Sequence, residues 1–254
     1  AALACIAIQA NQNEMHGGQS VPNFDYAMAE GVKKTYRKQY FRALAQYIEV
    51  RFDMSASDAA ALTAAIKEAL GTDVTMHTAE AYAEKLRAFL PRHQAENGFQ
   101  IITGDAARAA AEYAAKTAYK ETDAATYQAM EALVHNLNTM NSRAGAQVPF
   151  SSLNYGTDTS PEGRMTVHNL LRATEAGLGD GETPIFPVQI FKVKEGVNYN
   201  EGDPNYDLFR HALRCSAKRL FPNFSFLDAP FNLQYYKPGD YNTCLLYTSD
   251  AADE

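Results

Sequence analysis

The chain has 254 residues, a net charge of −7 and 46% apolar residues, enough for one large α/β domain or two small ones. The acidic balance gives no bulk attraction to nucleic acid, and no run approaches the roughly 18 apolar residues that crossing a bilayer requires. Three cysteines, Cys5, Cys215 and Cys244, are odd in number and lack metal-ligand spacing, which points away from a disulfide framework and toward a reducing cytoplasm.

Residues 1–14 read as a short helix with Leu3, Ile6 and Ala10 at helical spacing, and Gly17-Gly18 ends or kinks it. Pro22 with Asn23 or Asp25 suits a new helix start. From Phe24 to about Phe52 the apolar positions Val32, Tyr36, Tyr40, Ala43 and Tyr47 recur helically. Lys33, Lys34, Arg37, Lys38 and Arg42 make this segment basic, as a solvated face or as an anion site for nucleotide phosphates. Residues 55–70 and 78–95 form two further helices, the first stopped by Gly71, the second with Pro91 near its end or kinking it. The Ala-rich, charged section 52–102 suits peripheral helices. Residues 104–142 read as one or two long helices, divided if at all at Thr122-Asp123. Their alanines permit close packing within the subunit or across a dimer interface.

An extended segment over 147–155 follows. Alternation puts Phe150, Ser152 and Asn154 on one side and Ser151, Leu153 and Tyr155 on the other. Small hydrogen-bonding groups on a strand face suit a ligand in a barrel or cleft, or hydroxyls bonded to neighbouring backbone. Thr159 or Ser160 before Pro161-Glu162 starts a helix over 161–176. A strand over 184–193, a loop over 196–205, a helix over 206–220 and a strand over 223–227 complete the pattern. Strands alternating with crossover helices predict parallel pairing in an α/β barrel or open sheet. Asp158 and Glu162 could also be a hydrolase's carboxylate pair, although Glu162 is explained as a first-turn helix acid.

Three runs resemble the anaerobic (class III) ribonucleoside-triphosphate reductases. The first is His135-Asn136-Leu137-Asn138-Thr139-Met140, Ser142-Arg143-Ala144-Gly145-Ala146-Gln147-Val148-Pro149-Phe150 and Gly156-Thr157-Asp158-Thr159-Ser160. The second is Gly179, Thr183-Pro184-Ile185-Phe186-Pro187, Lys194-Glu195-Gly196-Val197-Asn198 and Asp203-Pro204-Asn205-Tyr206-Asp207. The third is Cys215-Ser216-Ala217-Lys218-Arg219-Leu220-Phe221-Pro222-Asn223, and His16-Gly17-Gly18-Gln19-Ser20 is similar to the family's Gly-Gly turn.

The resemblance implies part of a ten-stranded α/β barrel, its first half, with flanking long helices that form a dimer and effector region. It implies a helical dimerisation and effector region over 1–146, the start of the barrel over 147–243, and a tail over 244–254 foreign to the family. It further implies reduction of ribonucleoside triphosphates to deoxyribonucleoside triphosphates by a glycyl radical and a cysteine thiyl radical. The thiyl cysteine belongs to a Met-Gly-Cys-Arg run beyond Gly239-Asp240-Tyr241-Asn242-Thr243, and Cys244 lacks those neighbours. The chain starts without Met, inside a helix-like run. It is therefore expected to be an internal piece, inactive alone, with no catalytic residue of its own. The glycyl radical and a zinc site would lie elsewhere in the parent, and the piece itself would hold no metal or cofactor. Cys5 and Cys215 are expected as packed core thiols.

For substrate, the resemblance and the strand pattern select Gln147, Ser151, Ser152, Asn154, Asn223 and Ser225, of which only those on one strand face can point inward. For a nucleotide effector (ATP or a deoxyribonucleoside triphosphate) the resemblance selects Gln12, Lys34 and Lys38. The implied partners are an iron–sulfur activase using S-adenosylmethionine and a second copy of the chain, in the cytoplasm, with neither nucleic acid nor membrane. The alternative is a non-catalytic nucleotide-binding and dimerisation module.

Overall fold

The computed structural model describes residues 1–14, 17–97, 102–141 and 148–233. Its elements, in chain order, are α1 (Ala2–Glu14), β1 (Gln19–Val21), α2 (Phe24–Arg51), α3 (Ala56–Leu70), α4 (Ala79–Asn97) and α5 (Gly104–Thr139). These are followed by β2 (Ser151–Tyr155), α6 (Pro161–Ala176), β3 (Val188–Val193), α7 (Tyr206–Arg219), β4 (Asn223–Phe226) and α8 (Pro230–Leu233). The fold is α/β, with a four-stranded sheet in the order β1-β2-β3-β4 and every pairing parallel. Among the described residues no helix is long and apolar enough to cross a membrane.

The chain divides into two compact units, one of Ala1–Glu30 with Ala125–Glu254 and one of Gly31–Ala124. The first holds the sheet. Its core gathers Leu153, Tyr155, Phe191 and Val193 from the strands with Val167, Leu170 and Leu171 of α6, Leu208 and Ala212 of α7, and Met130, Leu133 and Leu137 of α5. The second is helical. Tyr36, Tyr40, Leu44 and Ile48 of α2 pack with Leu62 and Ile66 of α3, Leu86 and Leu90 of α4, and Ala107, Ala110, Ala111, Ala114 and Ala118 of α5. The alanine stripe on α5 lets neighbouring helices approach closely.

Local signals account for the element ends. Ser160 accepts the Gly163 N–H at 3.1 Å and Pro161 opens α6, a cap followed by proline at the first helical position. Ser55 caps α3 through the Asp58 N–H. At its other end α6 is closed by Arg219, whose guanidinium donates to the carbonyls of Glu175, Ala176 and Gly181. A cation on the last carbonyls satisfies groups that the helix leaves open.

Two readings left open are decided, and one element is new. Helix α5 is continuous through Thr122-Asp123, because Thr122 and Thr126 are buried and packing overrides a weak capping signal. Pro91 lies inside α4, which continues to Asn97. A short strand, β1, follows Gly17-Gly18 where none was expected. Gly18 is required there, since a Cβ would come within 2.6 Å of the Phe150 ring.

Candidate functional site

The register of the sheet sorts its side chains into two faces. Ser20 pairs with Ser152 and Ser152 with Val188; Asn154 pairs with Ile190 and Ile190 with Asn223; Lys192 pairs with Ser225. Paired residues in parallel strands point the same way, and alternate residues share a face. Ser20, Ser152, Asn154, Lys192, Asn223 and Ser225 therefore share one polar face, interrupted by Val188 and Ile190. Ser152, Asn154 and Lys192 are fully buried, Ser225 is nearly so and Asn223 is exposed. The Ser152 hydroxyl donates to Ser20 Oγ at 2.9 Å. Lys192 donates to the Pro22 carbonyl at 2.8 Å and to Asn23 Oδ1 at 2.7 Å, so a cation stands at the carboxyl ends of β1 and β3.

Ser151 lies on the opposite face with Leu153 and Tyr155, toward the helix-covered core. Its Oγ is buried with no hydrogen-bond partner among the described residues. On that face Tyr155 donates to Gln189 Oε1 at 2.7 Å, and Gln189 donates to Thr174 Oγ1 at 2.8 Å. Burial pushes the Tyr155 phenol well above its ordinary value and the Cys215 thiol from 9.0 up to about 12; Cys5 is pushed up for the same reason. These groups stay protonated at neutral pH and belong to the core. Gln147, Cys244 and the 244–254 tail lie outside the described residues.

The loop after β2 is held by side chains on both edges. Asp25 Oδ2 accepts the N–H groups of Gly156, Thr157 and Asp158 at 2.9, 3.0 and 3.0 Å. Asn198 donates to the carbonyls of Gly156 and Lys192, and Asn205 to those of Gly156 and Asp158. Arg164 donates to Asn205 Oδ1 and to the Pro204 carbonyl, and forms a bidentate pair with Asp207 at 2.9 and 2.7 Å. Burial pushes the Asp25 carboxyl upward, opposed by the N–H bonds of Asp158 and Gly156 and by Lys192. The runs around 156–160, 194–198 and 203–207 thus meet as one scaffold. Asp158 accepts the Ser160 N–H and packs over Gly163, while Glu162 is buried in the first turn of α6. Both carboxylates sit at the start of α6.

Sequence pattern alone gives Lys192, Asn198 and Asn205 no role and makes Asp25 only a capping candidate. A lysine inside the apolar strand Val188–Val193 was the available signal.

The helical unit carries a second feature, a cleft of about 520 Å³ lined by Lys34, Arg37, Lys38, Arg42 and Lys67 around Phe41 and Thr63. Lys34 and Lys38 are exposed. Arg37 pairs with Asp73 at 2.7 Å, and its Nε is buried with no hydrogen-bond partner among the described residues. Lys67 lies 4.9 Å over the Phe41 ring. Clustered cations around an aromatic floor suit an anion with a planar or apolar part. Gln12, by contrast, is buried on α1 in the sheet-bearing unit.

A family profile described as anaerobic ribonucleoside-triphosphate reductase matches residues 1–250. The chain is 39% identical over 98 residues to the anaerobic ribonucleoside-triphosphate reductase of Escherichia coli (strain K12), covering 38% of this chain and 14% of that protein. It is 41% identical over 107 residues to the anaerobic ribonucleoside-triphosphate reductase of Enterobacteria phage T4, covering 42% of this chain and 18% of that protein. The aligned stretches span less than a fifth of these relatives.

Proposed function

The chain belongs to the anaerobic ribonucleoside-triphosphate reductase family, and from that premise we propose that its polar sheet face is part of a ribonucleotide site. The complete protein reduces ribonucleoside triphosphates to deoxyribonucleoside triphosphates in the cytoplasm. The four parallel strands belong to the first half of a ten-stranded α/β barrel. The glycyl radical, the thiyl cysteine and the zinc site belong to other parts of the complete polypeptide, and the radical is installed by an iron–sulfur activase. When present, the thiyl radical would supply removal of the ribose 3′ hydrogen and loss of the 2′ hydroxyl as water, with formate or a dithiol supplying the two reducing equivalents.

Its own residues bind and orient the nucleotide. Ser152, Asn154, Asn223 and Ser225 offer neutral donors and acceptors for ribose hydroxyls and phosphate oxygens. Lys192 adds positive charge at the carboxyl end of the sheet, where ligands of parallel α/β sheets bind. A surface already ordered by side-chain bonds holds the sugar without reorganising.

The single observation that carries this reading is the row of Asn154, Ile190 and Asn223 beside Ser152 and Lys192 on one face. The test is turnover by the complete reductase, activated by its partner enzyme. Asn154→Ala lowers kcat/KM for ribonucleoside triphosphates about tenfold, the loss of one hydrogen-bonding group in a buried site. Unchanged kcat/KM removes the polar face from the substrate site.

The cleft of Lys34 and Lys38 supports a second reading, binding of ATP or a deoxyribonucleoside triphosphate without chemistry, in a chain that pairs with a second copy through its helices. Nucleotide affinity that falls with Lys34→Ala and Lys38→Ala and is indifferent to Asn154→Ala separates the cleft from the sheet face.

A further inference from the structure

Three successive backbone N–H groups, those of Gly156, Thr157 and Asp158, converge on one oxygen, Asp25 Oδ2, while Asp25 Oδ1 accepts the Tyr26 N–H at 3.1 Å. A concave run of N–H groups is an anion-binding nest. This one follows the carboxyl end of a parallel strand, where such sheets present donors to ligands. Here a carboxylate from a distant part of the chain fills it. Asp25 is fully buried, and no step of the chemistry set out above uses it.

The loop has little freedom except through that contact. Gly156 has φ +120°, and a Cβ there would lie 3.0 Å from the Lys192 carbonyl and 3.2 Å from the Phe191 ring. Asn198 and Asn205 hold the carbonyls of Gly156 and Asp158, and the Tyr26 hydroxyl donates to the Thr157 carbonyl at 3.0 Å. With its carbonyls held by asparagines and a tyrosine, the loop's N–H edge is set by Asp25. Asn154, on the polar face, is two residues upstream.

We propose that Asp25 is a positioning residue for the ligand of the polar sheet face: by filling the nest it fixes the loop that continues β2, and with it the direction in which Asn154 is presented. This rests on the reading of that face as a ribonucleotide site. Without the carboxylate, three buried donors turn toward the nearest available anion, and the loop follows.

The test uses the complete, activated reductase. Asp25→Gly raises KM for ribonucleoside triphosphates about tenfold with kcat changed less, since placement rather than chemistry is lost. Acetate in the tens of millimolar range restores most of the affinity by occupying the vacated nest. Asp25→Asn, which keeps the shape with a neutral oxygen, gives a smaller rise in KM and faster amide exchange at 156–158. It stands as the deciding variant if Asp25→Gly does not fold. An unchanged KM in Asp25→Asn with faster exchange at 156–158, or a raised KM in Asp25→Gly that acetate leaves untouched, overturns the positioning role. If Asn154→Ala also leaves kcat/KM unchanged, the ribonucleotide reading of the face has failed. If Asn154→Ala lowers kcat/KM and Asp25→Asn leaves KM unchanged, only the role of Asp25 has failed.

Discussion

In the helical unit the interior is chiefly apolar: Tyr40, Leu44, Leu86 and Leu90 meet the alanine stripe of α5 beside the buried Thr63, Gln94 and Thr122, and the charged groups of α2 line a surface cleft. In the sheet-bearing unit polar side chains run through the interior, with Asp25, Asn198, Asn205, Gln189 and Lys192 all buried and bonded to backbone or to other side chains. Apolar packing tolerates exchange of side chains of similar volume. A buried polar network does not, because each partner removed leaves another unsatisfied. The runs that resemble the reductase family lie wholly in the sheet-bearing unit, at 16–20 and from 135 onward. Their chemistry is that of the network: Arg164 with Asp207, Asn198 with Gly156, Arg219 with the end of α6.

Substitutions sharpen that contrast. The largest loss of stability is expected in the apolar unit: Leu86→Ala, at a fully buried position, costs about 2–5 kcal/mol by denaturant titration, through lost transfer energy and a residual cavity. Gly163→Ala costs about 1–3 kcal/mol, because the new methyl collides with the Asp158 carboxylate. Arg219→Ala costs roughly 1–2 kcal/mol by uncovering the last carbonyls of α6, and Arg219→Lys recovers only part of it, since a single ammonium cannot reach all of those carbonyls. Lys34→Ala and Lys38→Ala, at exposed sites, change stability by less than about 0.5 kcal/mol while weakening nucleotide binding to the cleft several-fold.

Titration of Cys215 probes the same contrast. Its thiol is raised from 9.0 to about 12, so the folded state holds the proton more tightly than the unfolded chain does. The stabilisation is complete below pH 9 and declines as pH rises toward 12. Below that window a thiol reagent, followed by peptide mapping, should label Cys215 only on unfolding. A Cys215 labelled at its free-thiol rate in folded protein would contradict the burial described.

The helices were legible because their periodic apolar faces are long: α3 and α6 begin and end at their serine caps and glycines, and α2 spans its apolar repeat. The alternating polar strand Ser151–Tyr155 was legible for a related reason, since period-two patterning survives without knowledge of neighbours. Strand β1 was not, because three residues carry no pattern, and its existence depends on Gly18 passing against Phe150. The roles of Asp25, Asn198 and Asn205 were equally hidden. A single Asp at a helix start reads as a cap, and its real partners lie more than a hundred residues away. Lys192 stands in the sequence as a charge inside an otherwise mostly apolar strand. Which face of β2 meets the helices also required the structure, because Ser151 and Ser152 are equivalent as letters.

That pair supplies the most direct measurement. In the complete reductase, kcat/KM for a ribonucleoside triphosphate is compared for Ser152→Ala and Ser151→Ala. Removing the Ser151 hydroxyl, which has no partner among the described residues, leaves kcat/KM unchanged and stability equal or up to about 1 kcal/mol higher. Removing the Ser152 hydroxyl, on the polar face, lowers kcat/KM several-fold. Equal effects, or a larger loss at Ser151, would contradict the assignment of the polar face to the nucleotide.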